Sequence, residues 1–80
     1  MNQELKLLHN FEQDSKWFHN NIDEIIKKGF VNKFVAVKNK NIISSEKESN
    51  ELIKDLEKKG ENPSYIFIEF VYPKGFTLIL

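Results

Sequence analysis

Lys33-Phe34-Val35-Ala36-Val37-Lys38-Asn39-Lys40-Asn41-Ile42-Ile43-Ser44 is the stretch on which the fold turns. Its first six residues, β-branched and aromatic between two lysines, predict a strand, because such side chains suit a pleated, half-buried surface. Lys38-Asn39-Lys40-Asn41 predicts a turn and residues 42–44 a short second strand, which together make a hairpin. Asn39 tolerates a positive φ. Lys40 does so at more cost, since its Cβ crowds the carbonyl in the left-handed region.

On the N-terminal side of the hairpin, Leu5, Leu8, Phe11, Ser15, Phe18, Ile22 and Ile25 recur at spacings of three and four, which predicts one helix over residues 3–28. Leu7, Trp17 and Ile26 widen its apolar stripe, and Asp14 or Ser15 could cap a fresh helix starting at Lys16. Lys27 and Lys28 suit the negative end of the helix dipole, and Gly29 suits a left-handed C-terminal cap.

On the C-terminal side, Ser45 with Glu48 has the spacing of a capping box and predicts a second helix over residues 46–59. Leu52, Ile53 and Leu56 form its buried face, and Lys58-Lys59-Gly60 repeats the ending of the first helix. Asn62-Pro63-Ser64 is a turn in which proline bars helix continuation. Residues 65–72 form the strongest strand, apolar on both faces except at Glu69, and are expected at the centre of the sheet. Pro73-Lys74-Gly75 then turns the chain into a last strand over residues 76–80, which, being apolar, should pair back on the third strand or with another chain.

The expected fold is therefore one α+β domain over residues 1–80. It is a two-layer α/β sandwich in the order α-β-β-α-β(-β), with a mixed sheet of three or four strands. Both helices are expected on one face, and a right-handed crossover should link the second and third strands.

Eighty residues with no cysteine exclude a disulfide framework, a thiolate metal site and a cysteine nucleophile. A chain this short buries only about 60–65% of the surface it exposes unfolded, so packing or a partner must supply its stability. No signal peptide or membrane span is expected: Glu4, Glu12 and Asp14 interrupt the N-terminal apolar residues, and the apolar run at residues 65–71 is short and contains Glu69. The cysteine-free composition fits a cytoplasmic setting.

Formal net charge is zero, and all twelve basic residues are lysine. Without arginine the chain lacks the usual planar reader of phosphate and guanine. The neutral total conceals a local asymmetry. Lys27, Lys28, Lys33, Lys38 and Lys40 are the only charges between residues 27 and 40, whereas the segments on either side are net acidic. Such a patch suits an acidic protein surface or a nucleic-acid backbone. The plainer reading is helix capping plus a solvated hairpin.

Taken together, Trp17, Asn21, Ile25-Ile26-Lys27-Lys28, Phe34-Val35-Ala36-Val37, Ile42-Ile43, Lys58-Lys59-Gly60 and Ile68-Glu69-Phe70-Val71-Tyr72-Pro73 resemble a family of short prokaryotic, largely archaeal proteins whose domain has no assigned function. The resemblance covers residues 11–73. That family commonly has Tyr-Gly-Gly-Lys before its Val-Ala-Val strand and Asp-Gly in the hairpin turn, where this chain has Gly29-Phe30-Val31-Asn32-Lys33 and Asn39-Lys40. The resemblance implies the α+β fold and brings no catalytic residues with it.

A search for chemistry finds no strong motif. His9 and His19 lie about 280° apart around an ideal helix and do not share a face. His19 and Asp23 could offer two metal ligands at i, i+4, with no evident third. The five serines include no nucleophile-elbow setting, and the three glycines lie singly in turns rather than in a phosphate-cradling loop. No cofactor or metal is expected. Glu69, inside an apolar strand, needs a partner such as Lys38 or Lys33 if buried. Trp17, beside Phe18, reads as a core anchor.

The expected function is a non-catalytic protein–protein interaction module, as a homodimer or an accessory subunit. Its candidate surface comprises Lys27, Lys28, Lys33, Lys38 and Lys40 together with Phe76, Leu78 and Leu80 of the apolar last strand. The alternatives are sequence-independent nucleic-acid binding through the hairpin lysines and a small enzyme or ligand-binding domain built on Glu69.

Overall fold

The computed structural model describes residues 3–73. The expected last strand, with Phe76, Leu78 and Leu80, lies outside the described residues.

The hairpin forms where the sequence places it. Strand β1 runs Phe34–Lys38 and β2 runs Asn41–Glu46, antiparallel, with Lys38 opposite Asn41. β2 is longer than residues 42–44 because Ser45 and Glu46 pair with Val35 and Phe34. The ladder captures the serine that was expected to cap the second helix. That helix, α3, runs Ser49–Lys58 with Glu48 at its N-cap and no side-chain cap bond, so the capping box does not form. The register slips between Ala36 and Val37, leaving Ile43 as an extra residue on β2. The carbonyl this bulge releases from the ladder accepts from Lys59 Nζ at 2.6 Å, so it is not left unsatisfied.

The N-terminal helical region breaks at Asn21, not at Asp14 or Ser15. Helix α1 spans Gln3–Asn20 and a short α2 spans Ile22–Ile25. Asn21 Nδ2 donates to the Trp17 carbonyl at 2.8 Å, competing with the helical backbone as asparagine does. A wide π-turn, Ile26–Phe30, follows and ends through Gly29 at φ 93°. The second lysine-lysine-glycine ending is a Schellman cap: the Gly60 and Glu61 amides donate to the Glu57 and Leu56 carbonyls at 3.0 and 2.9 Å, with Gly60 at φ 78°. Asn62 Oδ1 accepts from the Ser64 amide and Pro63 opens a 3₁₀ turn, Pro63–Tyr65, before β3, Phe67–Phe70.

The strand order is β2-β1-β3, and both pairings are antiparallel. Two expectations change here. β1 is central and β3 lies at the edge of the described sheet, and no neighbouring pair in it is parallel. β2 and β3 run in the same direction on either side of β1, so the α3 connection still crosses the sheet.

The helices cover opposite faces, where one shared face was expected. Phe18 and Ile25 pack with Val35, Val37, Phe67 and Val71, whereas Leu52 and Leu56 pack with Ala36 and Ile66. Alternation along β1 separates Val35 and Val37 from Ala36. All three side chains are fully buried, which requires cover on both sides. Ser44 and Lys59 fasten α3 to its face: the Ser44 hydroxyl donates to Asp55 Oδ2 at 2.5 Å, and Lys59 Nζ, 2.8 Å from the same oxygen, donates to the Ile43 carbonyl of β2.

Candidate functional site

The hairpin tip is held by a buried carboxylate. Asn39 and Lys40 sit at φ 51° and 61°, the type I′ geometry that suits the twist of a two-residue hairpin. Lysine pays a steric cost there that glycine would not. The Lys40 amide donates to Asp14 Oδ1 at 2.8 Å, and Asp14 is only 6% exposed on α1. The tip is thereby docked on the middle of α1.

Three clefts follow the seam where the tip leans on α1. The first, about 400 Å³, is lined by His9, Asn10, Gln13, Asp14, Asn39 and Lys40. The next, about 240 Å³, shares Gln13 and Lys40 with it and adds Lys16, Trp17, Asn20 and Asn21. The third, about 370 Å³, shares Trp17 and Asn21 and opens over Ile25, Phe30 and Ile42, with Glu24 and Lys28 among its polar lining. Shared walls make them one trough, polar at its His9 end and apolar-floored at its Phe30 end. The π-turn contributes Lys28 and Phe30 to the apolar end, an instance of irregular helix at a surface concavity.

The lysines singled out by sequence take different places. Lys28 and Lys40 line the trough. Lys38 forms a bidentate pair with Glu61, at 2.7 and 3.0 Å, and Lys27 lies 3.8 Å from Glu24. Lys33 is at the other end of β1, about 16 Å along the strand from Lys38, where its carbonyl accepts from the Val71 amide. The trough instead adds Lys16, which composition did not single out. Trp17 is partly buried against the core and also lines the trough.

Glu69 does not meet Lys38. Its Oε1 accepts from the Phe70 amide at 3.3 Å, and among the described residues it forms no ion pair. His19 Nδ1 lies 2.8 Å from the Ser15 carbonyl, and among the described residues no three His, Asp or Glu side chains converge as metal ligands. The hydrogen bond from Lys59, then that from Ser44, holds the Asp55 carboxyl below the usual carboxylate range. Asp55 fastens α3 and faces no cleft of the trough.

A second surface lies along β3. The Val71 amide and carbonyl face β1, bonding Lys33 and Asn32, so by alternation the Ile68 and Phe70 backbones face outward. Beside that edge an aromatic row runs from Phe34 to Phe70 to Tyr72, with ring centroids 5.0 and 4.9 Å apart. Tyr72 is 41% exposed. Among the described residues no helix is long and apolar enough to cross a membrane.

Residues 23–71, more than half of the chain, match the model of a family of unknown function (DUF5678). The match takes in all but the first residue of α2, the π-turn, the hairpin, α3 and β3, and α1 precedes it. Neither a curated protein nor a solved structure matches the chain.

Proposed function

The chain belongs to the DUF5678 family, a family of unknown function, and we propose that it works as a non-catalytic protein–protein interaction module that pairs with a second copy of itself along β3. The outward-facing edge of β3 carries this reading, with the aromatic row beside it. Among the described residues no strand lies beyond β3; an open strand edge templates association, and partly exposed aromatic rings supply contact area at low entropic cost. Phe76, Leu78 and Leu80 lie outside the described residues and join this reading by their apolar sequence alone. The cysteine-free composition supports a cytoplasmic setting.

The two alternatives draw less support. Lys38 and Lys27 already have carboxylate partners, which reduces the charge available to a phosphate backbone. Glu69 bonds its neighbour's amide at the strand edge, which is a structural employment rather than a catalytic one.

Sedimentation equilibrium tests the proposal. A monomer–dimer equilibrium should appear below about 1 mM, the range that registers association stronger than roughly −4 kcal/mol. Tyr72→Lys, at an exposed position, should shift it toward monomer. A monomer throughout that range would contradict pairing, and a dimer indifferent to Tyr72→Lys would place the interface elsewhere.

A further inference from the structure

The trough between α1 and the hairpin tip is a surface distinct from the β3 edge. We infer that it is a docking site for a short, extended, acidic peptide segment bearing one aromatic or aliphatic anchor residue. Four observations converge on that occupant.

The first is length. The trough follows α1 from His9 to Asn21, about 18 Å at 1.5 Å per residue. An extended strand covers that distance in roughly five or six residues. The second is the floor. At one end Trp17, Ile25, Phe30 and Ile42 line a cleft of about 370 Å³, large enough for one aromatic or branched aliphatic side chain.

The third is charge. Lys16, Lys28 and Lys40 line the trough, and among the described residues none forms an ion pair. The nearby acids are engaged: Glu24 with Lys27 and Asp14 with the Lys40 amide. With Asp14 and Glu24 also in the lining, three lysines face two carboxylates, and the groove keeps a net positive charge. The fourth is the carboxamide row, Asn10, Gln13 and Asn20 along α1. Such groups donate and accept at once, which suits the alternating N–H and C=O of an extended backbone. A single tryptophan and the absence of arginine favour a peptide over a single-stranded nucleic acid, which calls for successive stacking platforms.

Trp17 is the only tryptophan, so its fluorescence reports occupancy directly. The probe is an acetylated and amidated Glu-Glu-Phe-Glu-Glu peptide, titrated into the full chain at low ionic strength. The expected result is a saturable change in Trp17 emission with Kd on the order of 100 µM, weakening as salt is added. Replacing the probe's phenylalanine by alanine should weaken binding by about tenfold or more, the value of one well-buried anchor. Lys16→Glu and Lys28→Glu should each weaken it about fivefold, while Lys54→Glu on α3 should leave it unchanged. Lys40→Asn removes a charge and eases the left-handed turn, so it should lower affinity while the fold becomes no less stable. That variant separates loss of binding from loss of structure.

The inference is overturned if the peptide gives no saturable change, if Lys-Lys-Phe-Lys-Lys binds as well, or if the lysine variants bind like the parent. Tighter binding of a short oligothymidylate than of the acidic peptide would overturn it in favour of nucleic acid. None of these outcomes bears on pairing along β3, which sedimentation reads separately.

Discussion

Replacing Asp14 by alanine should loosen the hairpin tip and destabilise the whole domain. In the structure the Asp14 carboxylate accepts the Lys40 amide at 2.8 Å while being 6% exposed. It holds in place a lysine at φ 61°. A hydrogen bond to a charged acceptor contributes about 1.5–3 kcal/mol. Alanine is the better helix former, which returns about 0.5 kcal/mol. The net cost is then about 1–2.5 kcal/mol, which lowers Tm by roughly 5–15 °C for a domain of this size. Urea unfolding followed by Trp17 fluorescence measures the cost, and hydrogen exchange at the Lys40 amide measures its local origin. Asp14→Asn keeps an acceptor oxygen and should lose about half as much. Lys40→Gly keeps the bond and relieves about 1–2 kcal/mol of left-handed crowding, against about 0.4–1 kcal/mol of added unfolded-chain entropy. It should therefore be slightly stabilising. An Asp14→Ala protein within about 0.5 kcal/mol of the parent, the range of a neutral surface change, would refute the reasoning. So would unchanged exchange at the Lys40 amide.

Three further outcomes are expected. Gly60→Ala meets no atom within 4 Å but must sit at φ 78°, so it should cost about 1 kcal/mol through backbone strain alone, read by thermal unfolding. Asp55 titrates below its unfolded value because Lys59 and Ser44 bond its carboxylate. The stability it adds is therefore present above the unfolded value of 3.8 and is lost as pH falls through the folded one. Asp55→Asn should flatten the acid limb of a stability–pH curve measured in urea. Glu69→Ala removes the carboxylate that covers the Phe70 amide and so exposes an edge donor. It should shift the sedimentation equilibrium toward dimer.

What was legible in the sequence was mostly local. The β-branched strand before Asn39-Lys40 and the two glycines after lysine pairs are decided by backbone sterics within a few residues, and they stand where periodicity and capping place them. The capping box at Ser45 and Glu48 was overridden because Ser45 pairs across the sheet with Val35, and ladder hydrogen bonds outweigh a side-chain cap. The placement of α3 opposite α1 had a readable signal in the unbroken apolar run of β1, since alternating burial on one face alone would leave Ala36 or its neighbours in water. The centrality of β1 did not. β3 has the longer apolar run, and only the pairing of β1 with both neighbours shows which strand is inside. The trough was the least legible feature. Lys38 finds its partner 23 residues away and Asp14 its donor 26 residues away, so neither the neutralised lysine nor the docked tip is visible in local spacing.

Hydrogen exchange at the Ile68 and Phe70 amides, followed as protein concentration rises, tests pairing along β3 most directly. These amides face away from β1, whereas the Val71 amide bonds Lys33 and serves as an internal control. The expected result is protection at Ile68 and Phe70 that grows with concentration while Val71 stays constant. Protection at the two outward amides that is the same at every concentration would contradict pairing with a second copy.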